Sequence, residues 1–429
     1  MKKSLAIAAA AVTALGLLAG CSGSDTEEKK KLSVAALEGG YGKDMYTQVI
    51  AAYKAKHPDL DVQLQISKSI EDEISPNMKA GKFPDVVVLG QGRKAGLTET
   101  LIKDKALEDL TPVLATVKDR LTEGIVGNLN TDPYGDGKTF LMPMYYAPTG
   151  LFYNKGLFTK NGWTVPETWD QMWTLAEDAK AKGVALFTYP TAGYLDSYFF
   201  SLLAGVGGEP FYTDVMTYKQ DVWKTPQAKQ ALDITTKLLS YAAPTTVGYA
   251  NEQDFTKNQQ SILDNKALFM PNGTWIVGEM KDAPRAEGFE WGLTPLPAVT
   301  AGTKRYLTTS VESVWIPSAA KNKDAAKDFV AFLYSDEAAK IFAASNAIQP
   351  VKGIAASVPA ENAGFFKLYE DPNVAALVGG FASTAPVEGV DIKAVLFDTA
   401  NSIISGDKTE DQWQTALQDA SEKLRQAGK

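Results

Sequence analysis

Residues 32–42, Leu-Ser-Val-Ala-Ala-Leu-Glu-Gly-Gly-Tyr-Gly, carry a short apolar run straight into a glycine-rich turn. Such a run bounded by a turn is the pattern of a strand buried on both faces, and here it leads into a helix over residues 43–56 that His57-Pro58 ends. Residues 60–66 (LDVQLQI) then alternate apolar and polar at period 2, a second strand. Residues 70–82 are helical in character, and Phe83-Pro84-Asp85 introduces Val86–Leu89, a third, fully buried strand. Strand, helix, strand, helix, strand predicts an α/β fold with parallel pairing. In such sheets a ligand sits outside the carboxyl ends of the strands. That singles out Glu38 and Tyr41 after the first strand, and Gln91 and Arg93 after the third.

With 429 residues the chain exceeds what one hydrophobic core usually fills, so two lobes are expected. A formal net charge of -8, with lysines scattered among acids, leaves no basic stripe to neutralise phosphates and excludes nucleic acid as a partner. At the start of the chain Lys2 and Lys3 precede the apolar run Leu5–Leu18, and Leu18-Ala19-Gly20 leads to Cys21, the only cysteine. The run falls short of the ~20 residues that span a bilayer as a helix, so residues 1–20 read as a signal peptide. The Leu-Ala-Gly-Cys ending resembles the bacterial lipoprotein box. That resemblance implies cleavage before Cys21, lipidation of its thiol and anchoring at the outer face of the cell membrane. Residues 22–31 (SGSDTEEKKK) have nothing to bury and, with Cys21, form a flexible tether.

Further on, residues 139–154 (TFLMPMYYAPTGLFYN) read as an extended crossover between lobes, with Tyr145 and Tyr146 at the boundary. Thr168 is a candidate N-cap for a helix over 169–182, in which Trp169 and Trp173 share a face as a core pair. A strand over 184–189 opens through residues 190–194 into a helix over 195–204, gathering Tyr194, Asp196 and Tyr198 at its start. Aromatic plus carboxylate at a strand-to-helix loop is the composition of a polar-ligand rim. Lys266–Met280 (KALFMPNGTWIVGEM) reads as a strand that stops at Pro271-Asn272-Gly273 and presents Trp275. The indole can cover the C–H face of a flat ligand while Asn272 and Thr274 answer hydroxyl or amide groups. Residues 306–316 (YLTTSVESVWI) place Glu312 among hydroxyls.

Much chemistry lacks its parts. One histidine, His57, and no free thiol after lipidation leave no structural zinc, Ser-His-Asp triad or cysteine nucleophile. Gly90-Gln-Gly-Arg-Lys-Ala95 fits a dinucleotide fingerprint, but residues 97–111 carry no following strand with its acid. No cofactor, metal or catalytic residue is therefore expected. Glu38, Asp196, Glu279 and Glu312 keep a secreted, lipid-anchored glycoside hydrolase as the alternative, since two carboxylates roughly 5 to 9 Å apart suffice for that reaction.

Several stretches together resemble the family 1 extracellular solute-binding proteins of carbohydrate ABC transporters. They are the lipoprotein leader, Pro84-Asp-Val-Val-Val-Leu89, Phe152-Tyr-Asn-Lys155, Gly162-Trp-Thr-Val-Pro-Glu-Thr-Trp-Asp170 and Leu263-Asp-Asn-Lys-Ala-Leu-Phe-Met-Pro-Asn-Gly-Thr-Trp275. Within that family the chain is similar to the branch that binds N-acetylglucosamine or its short oligomers. The resemblance implies a two-lobed, periplasmic-binding-protein-like α/β fold of class II type, with three interlobe crossovers near residues 142–147, 298–306 and 351–360. The N-lobe would take 32–142 and 306–352, and the C-lobe 147–300 and 360–429. It implies a monomeric binding protein, not an enzyme, that closes on a mono- or oligosaccharide and delivers it to ABC permease subunits. Trp275 matches the family's stacking aromatic, and the loop at Tyr194–Tyr198 its aromatic-bearing ligand loop with the spacing shifted. Phe397 stands where some members place a further stacking tryptophan.

Overall fold

Pleating sends successive side chains of a strand to opposite faces, and β1 (Lys30–Leu37) uses both. Val34 and Ala36 enter one core with Met45, Tyr46, Val49 and Tyr53 of the helix Asp44–Lys56. Ala35 and Leu37 enter another with Ile70, Ile74 and Met78 of the helix Ile70–Lys79. β2 (Leu60–Ser67) and β3 (Val86–Val88) flank β1, both parallel to it. The structure, a computed structural model, describes residues 30–428 apart from 94, 122–125, 127–129, 383 and 385–386. The signal peptide, Cys21 and the tether as far as residue 29 lie outside the described residues. Lys30 and Lys31, expected in the tether, already pair with Leu60 and Asp61.

The remaining strands are β4 (Met142–Asn154), β5 (Ala185–Phe187), β6 (Ala267–Gly273), β7 (Trp291–Thr294), β8 (Arg305–Trp315) and β9 (Val374–Leu377). Among the described residues all nine form one open sheet in the order β2-β1-β3-β8-β4-β6-β5, with β7 on β4 and β9 on β8. Parallel pairing holds around β1 and between β5 and β6, but β8 enters antiparallel to both β3 and β4. β9, only four residues long, takes its conformation from the edge at Arg305–Thr308, so its own composition did not announce it.

Two lobes follow from where the cores sit. β4 sends Met142 and Met144 into the N-lobe core, then Leu151 and Phe152 into the cores on either face of the C-lobe half. β8 runs the other way, packing Tyr306 on the C-lobe and burying Val314 in the N-lobe. Between those two ends Thr308–Val314 of β8 run beside β4, so this strand carries the chain from the C-lobe core to the N-lobe core. From Val351 in the N-lobe core the chain returns to the helix Ala360–Phe366, whose Phe365 is buried against the C-lobe.

Local signals explain several elements. Thr168 accepts a hydrogen bond from the Gln171 backbone N–H while the Gln171 side chain accepts one from Thr168, a capping box that starts the helix Trp169–Ala181. Trp169 is buried and stacks on Trp173 with ring centroids 5.2 Å apart, the core pair expected from their spacing. Thr168→Ala should lower the unfolding free energy by about 1 kcal/mol, read from a urea denaturation midpoint. An unchanged midpoint would show that the cap adds nothing net. The helix Leu195–Met216 is broken at Gly208 (φ 75°, ψ 177°) ahead of Pro210, so the expected helix 195–204 is its first limb.

Candidate functional site

β6 ends at Gly273, and the chain turns at once into Trp275. The indole folds back over that glycine: a Cβ at 273 would fall 2.2 Å from Trp275 Cζ3 and 2.3 Å from Cη2. Only a residue without a side chain leaves the ring its seat. Tyr194, from the loop after β5, stands edge-on to the indole at 6.3 Å between centroids. Trp275 and Tyr194 thus form a half-buried aromatic pair backed by the β6 turn.

The N-lobe meets this turn directly. A Cβ at Gly40, in the loop after β1, would lie 2.9 Å from Trp275 Cβ, and one at Gly278 would lie 3.0 Å from the Gly40 carbonyl oxygen. The Tyr41 and Thr274 hydroxyls share a hydrogen bond of 3.1 Å. Glycine at 40 thus lets one lobe's backbone close onto the other's aromatic. Beside this loop, Gln91 is half-buried and Arg93 donates through Nε to Glu71 at 3.2 Å. Glu38 is half-buried at the start of the first loop, its backbone N–H held by the Ser67 carbonyl at 3.0 Å.

The floor comes from the two strands that join the lobes. Glu312 on β8 lies opposite Tyr145 on β4, and its carboxylate accepts the Gly90 backbone N–H. Tyr145 is buried, shares a hydrogen bond of 3.2 Å with the Tyr46 hydroxyl and meets Tyr41 edge-on at 5.4 Å. Tyr146 is half-buried between Phe366 and Tyr369, at centroid distances of 5.7 and 5.5 Å, and Tyr369 shares a 2.9 Å hydrogen bond with Thr309.

Three carboxyls here are held above the ordinary carboxylate range, each chiefly because burial penalises the charge. Glu312 is relieved in part by Arg93 and the Gly90 N–H, and Glu279 by the Gln259 amide, which donates to it at 2.8 Å. Asp196 is pushed up to about 6 by desolvation, eased by the Ser197 backbone N–H and the Lys393 charge. Solvent reaches Asp196, but the surrounding walls leave that solvent little room to polarise. Its folded pKa exceeds the ordinary 3.8, so the charge costs stability; the cost is absent below 3.8 and complete above about 6. Asp196→Asn should therefore raise the melting temperature of the free protein at pH 7, with the difference shrinking as the pH falls through that window. Equal melting temperatures at pH 7 would contradict it.

Some expected rim residues lie elsewhere. Tyr198 is a correction: it is wholly buried, bonded to Thr235 at 3.1 Å and packed on Phe199 and Trp169, because it sits in the buried first limb of the helix Leu195–Met216, whereas Tyr194 belongs to the tight turn before that helix. Asn272 is enclosed too, its side-chain oxygen accepting the Gly273 N–H while Nδ2 has no partner. It shapes the turn from inside. Phe397 is buried against Phe199 and Phe200, so it is core and not a platform. Sequence reading missed Phe366 and Tyr369, whose i, i+3 spacing beside the buried Phe365 marks a second aromatic face. It also missed Gln259, Glu71 and Lys393, which carry no local signal. Among the described residues no three His, Cys, Asp or Glu side chains gather as a metal site.

Comparison with known proteins matches residues 39–340 to the family described as bacterial extracellular solute-binding protein. The chain is 26% identical to the diacetylchitobiose binding protein NgcE of Streptomyces coelicolor over 408 residues, 92% of this chain and 85% of the relative. It is 24% identical to a maltooligosaccharide ABC transporter solute-binding lipoprotein of Streptococcus pneumoniae, covering 94% of this chain and 91% of that one. Among solved structures it superposes on a chitin oligosaccharide binding protein with a TM-score of 0.72 at 17% identity, covering 92% of this chain and 99% of the other.

Proposed function

The chain belongs to the bacterial extracellular solute-binding proteins, and from that premise we propose that it captures a mono- or oligosaccharide containing N-acetylglucosamine and delivers it to an ABC permease. The observation that carries this reading is the indole of Trp275 seated on Gly273, with Tyr194 beside it and the Gly40–Tyr41 loop of the other lobe closing over its edge. An aromatic plane suits the C–H face of a sugar ring. Around it, Glu312, Asp196, Glu279 and the tyrosine hydroxyls supply acceptors and donors for hydroxyl and acetamido groups. The relatives named for diacetylchitobiose and chitin oligosaccharide support the sugar class, and the one named for maltooligosaccharide supports a saccharide more broadly. Lipidation of Cys21 would hold the binding protein at the outer face of the membrane, with residues 22–29 giving it reach.

A sugar that binds the closed arrangement better than the open one shifts the lobes further toward closure, by as much as that difference in affinity allows. The test is a thermal-shift screen against N-acetylglucosamine, diacetylchitobiose, longer chitin oligomers and maltooligosaccharides. A ligand at 100 times its Kd stabilises the folded state by about 2.7 kcal/mol, enough to raise the melting temperature measurably. Chitin oligomers should give the largest rise, with stoichiometric binding and no hydrolysis products. No rise with any saccharide would overturn the reading.

A further inference from the structure

Gly92 lies between Gln91 and Arg93 with φ +83°, and both of its backbone polar groups are taken. Its N–H donates to the Glu99 carboxylate of the same lobe, while its carbonyl accepts the Lys393 ammonium of the opposite lobe at 2.9 Å. The backbone at Lys393 is itself held. Asp391 accepts the backbone N–H groups of Lys393 and Ala394 at 2.9 and 3.1 Å, and the turn that follows buries Leu396 and Phe397 in the C-lobe core. The neighbouring loop residues are pinned as well. Glu312 holds the Gly90 N–H, and Glu71 holds Arg93 Nε with one oxygen and the Leu97 N–H with the other, at 3.2 Å each.

Among the described residues, every anchor of residues 90–93 but one belongs to the N-lobe or to the strand entering it. Lys393 is the exception, and it reaches the loop only while the lobes are together. We propose that Lys393 is a positioning residue: an interlobe strut whose ammonium, on closure, fixes the Gly90–Arg93 loop and so sets Gln91 and Arg93 against the ligand. Its ammonium touches a backbone carbonyl and eases the Asp196 charge, so it adds to the closed state through the protein's own groups. Binding of any ligand is then strengthened by whatever the strut contributes to closure.

The proposal rests on the saccharide reading for only one of its two readouts. Lys393→Met and Lys393→Arg are compared with the parent protein by small-angle X-ray scattering without ligand and by the dissociation rate of diacetylchitobiose. Lys393→Met should increase the radius of gyration and speed release roughly three- to tenfold, the range for one partly exposed charge-assisted hydrogen bond. Lys393→Arg, which keeps a charged donor, should restore both. Parent and Met variant with the same radius of gyration would overturn the strut, as would a release rate that Lys393→Met leaves unchanged. If the parent binds no saccharide, the scattering comparison still decides the strut, while the function proposed above fails on its own.

Discussion

Trp275→Ala is expected to weaken saccharide binding by about 2 kcal/mol or more, roughly thirtyfold in Kd. The estimate follows from what the ring does. It is an aromatic plane on the C-lobe side of the cleft, half-buried already and approached by the Gly40 loop, so a sugar ring laid against it would lose water from its apolar face. Alanine would remove the plane and leave a gap that water fills. Calorimetric titration of the two proteins with diacetylchitobiose measures the change, and parent-like affinity in the variant would remove Trp275 from the site. The free protein should lose little stability, because the ring rests on a turn and outside the packed cores.

Gly273→Ala should produce a loss as large without touching any ligand-facing atom. The added methyl would sit 2.2 to 2.6 Å from three atoms of the indole, far inside van der Waals contact, so the ring must leave its seat. β6 cannot shift instead, since Gly273 and Asn272 are paired to Thr149 and Gly150 of β4. The decisive comparison is a double-mutant cycle. If Gly273 acts only by seating the indole, Gly273→Ala combined with Trp275→Ala binds no more weakly than Trp275→Ala alone. Losses that add would mean that Gly273 serves the ligand in some other way. The melting temperatures give an independent check, because the double variant should also shed the strain of the single glycine change.

How far the sequence could be read depended on the range of the signal. β1, the helix after it, β2 and β3 were legible because their periodicity is local, and the cores to which Val34 and Ala35 were sent confirm the two-faced burial. The seat of Trp275 was half legible. The turn residues pointed to a presented aromatic, but the reason for glycine at 273 lies in the ring two residues ahead. Tyr198 misled because it follows Tyr194 closely in sequence but lies inside the buried helix, whereas Tyr194 belongs to the turn that precedes it. The antiparallel entry of β8 beside β3 and β4 was not legible, since its partners lie far away in the chain. The same distance hid Lys393, whose acceptor is 301 residues away.

The joint between the lobes has a mechanical consequence. β4 and β8 stay paired from Met142 opposite Val314 to Thr149 opposite Thr308, with one irregularity between Pro143 and Tyr145. A hydrogen-bonded ribbon of two strands resists stretching and shearing but twists readily, most of all where a bulge interrupts its register. The joint therefore behaves as a torsion spring with one soft coordinate. A swing of the lobes about this joint would wind and unwind the same ribbon and bring the aromatic seat and the loops that face it back to the same register.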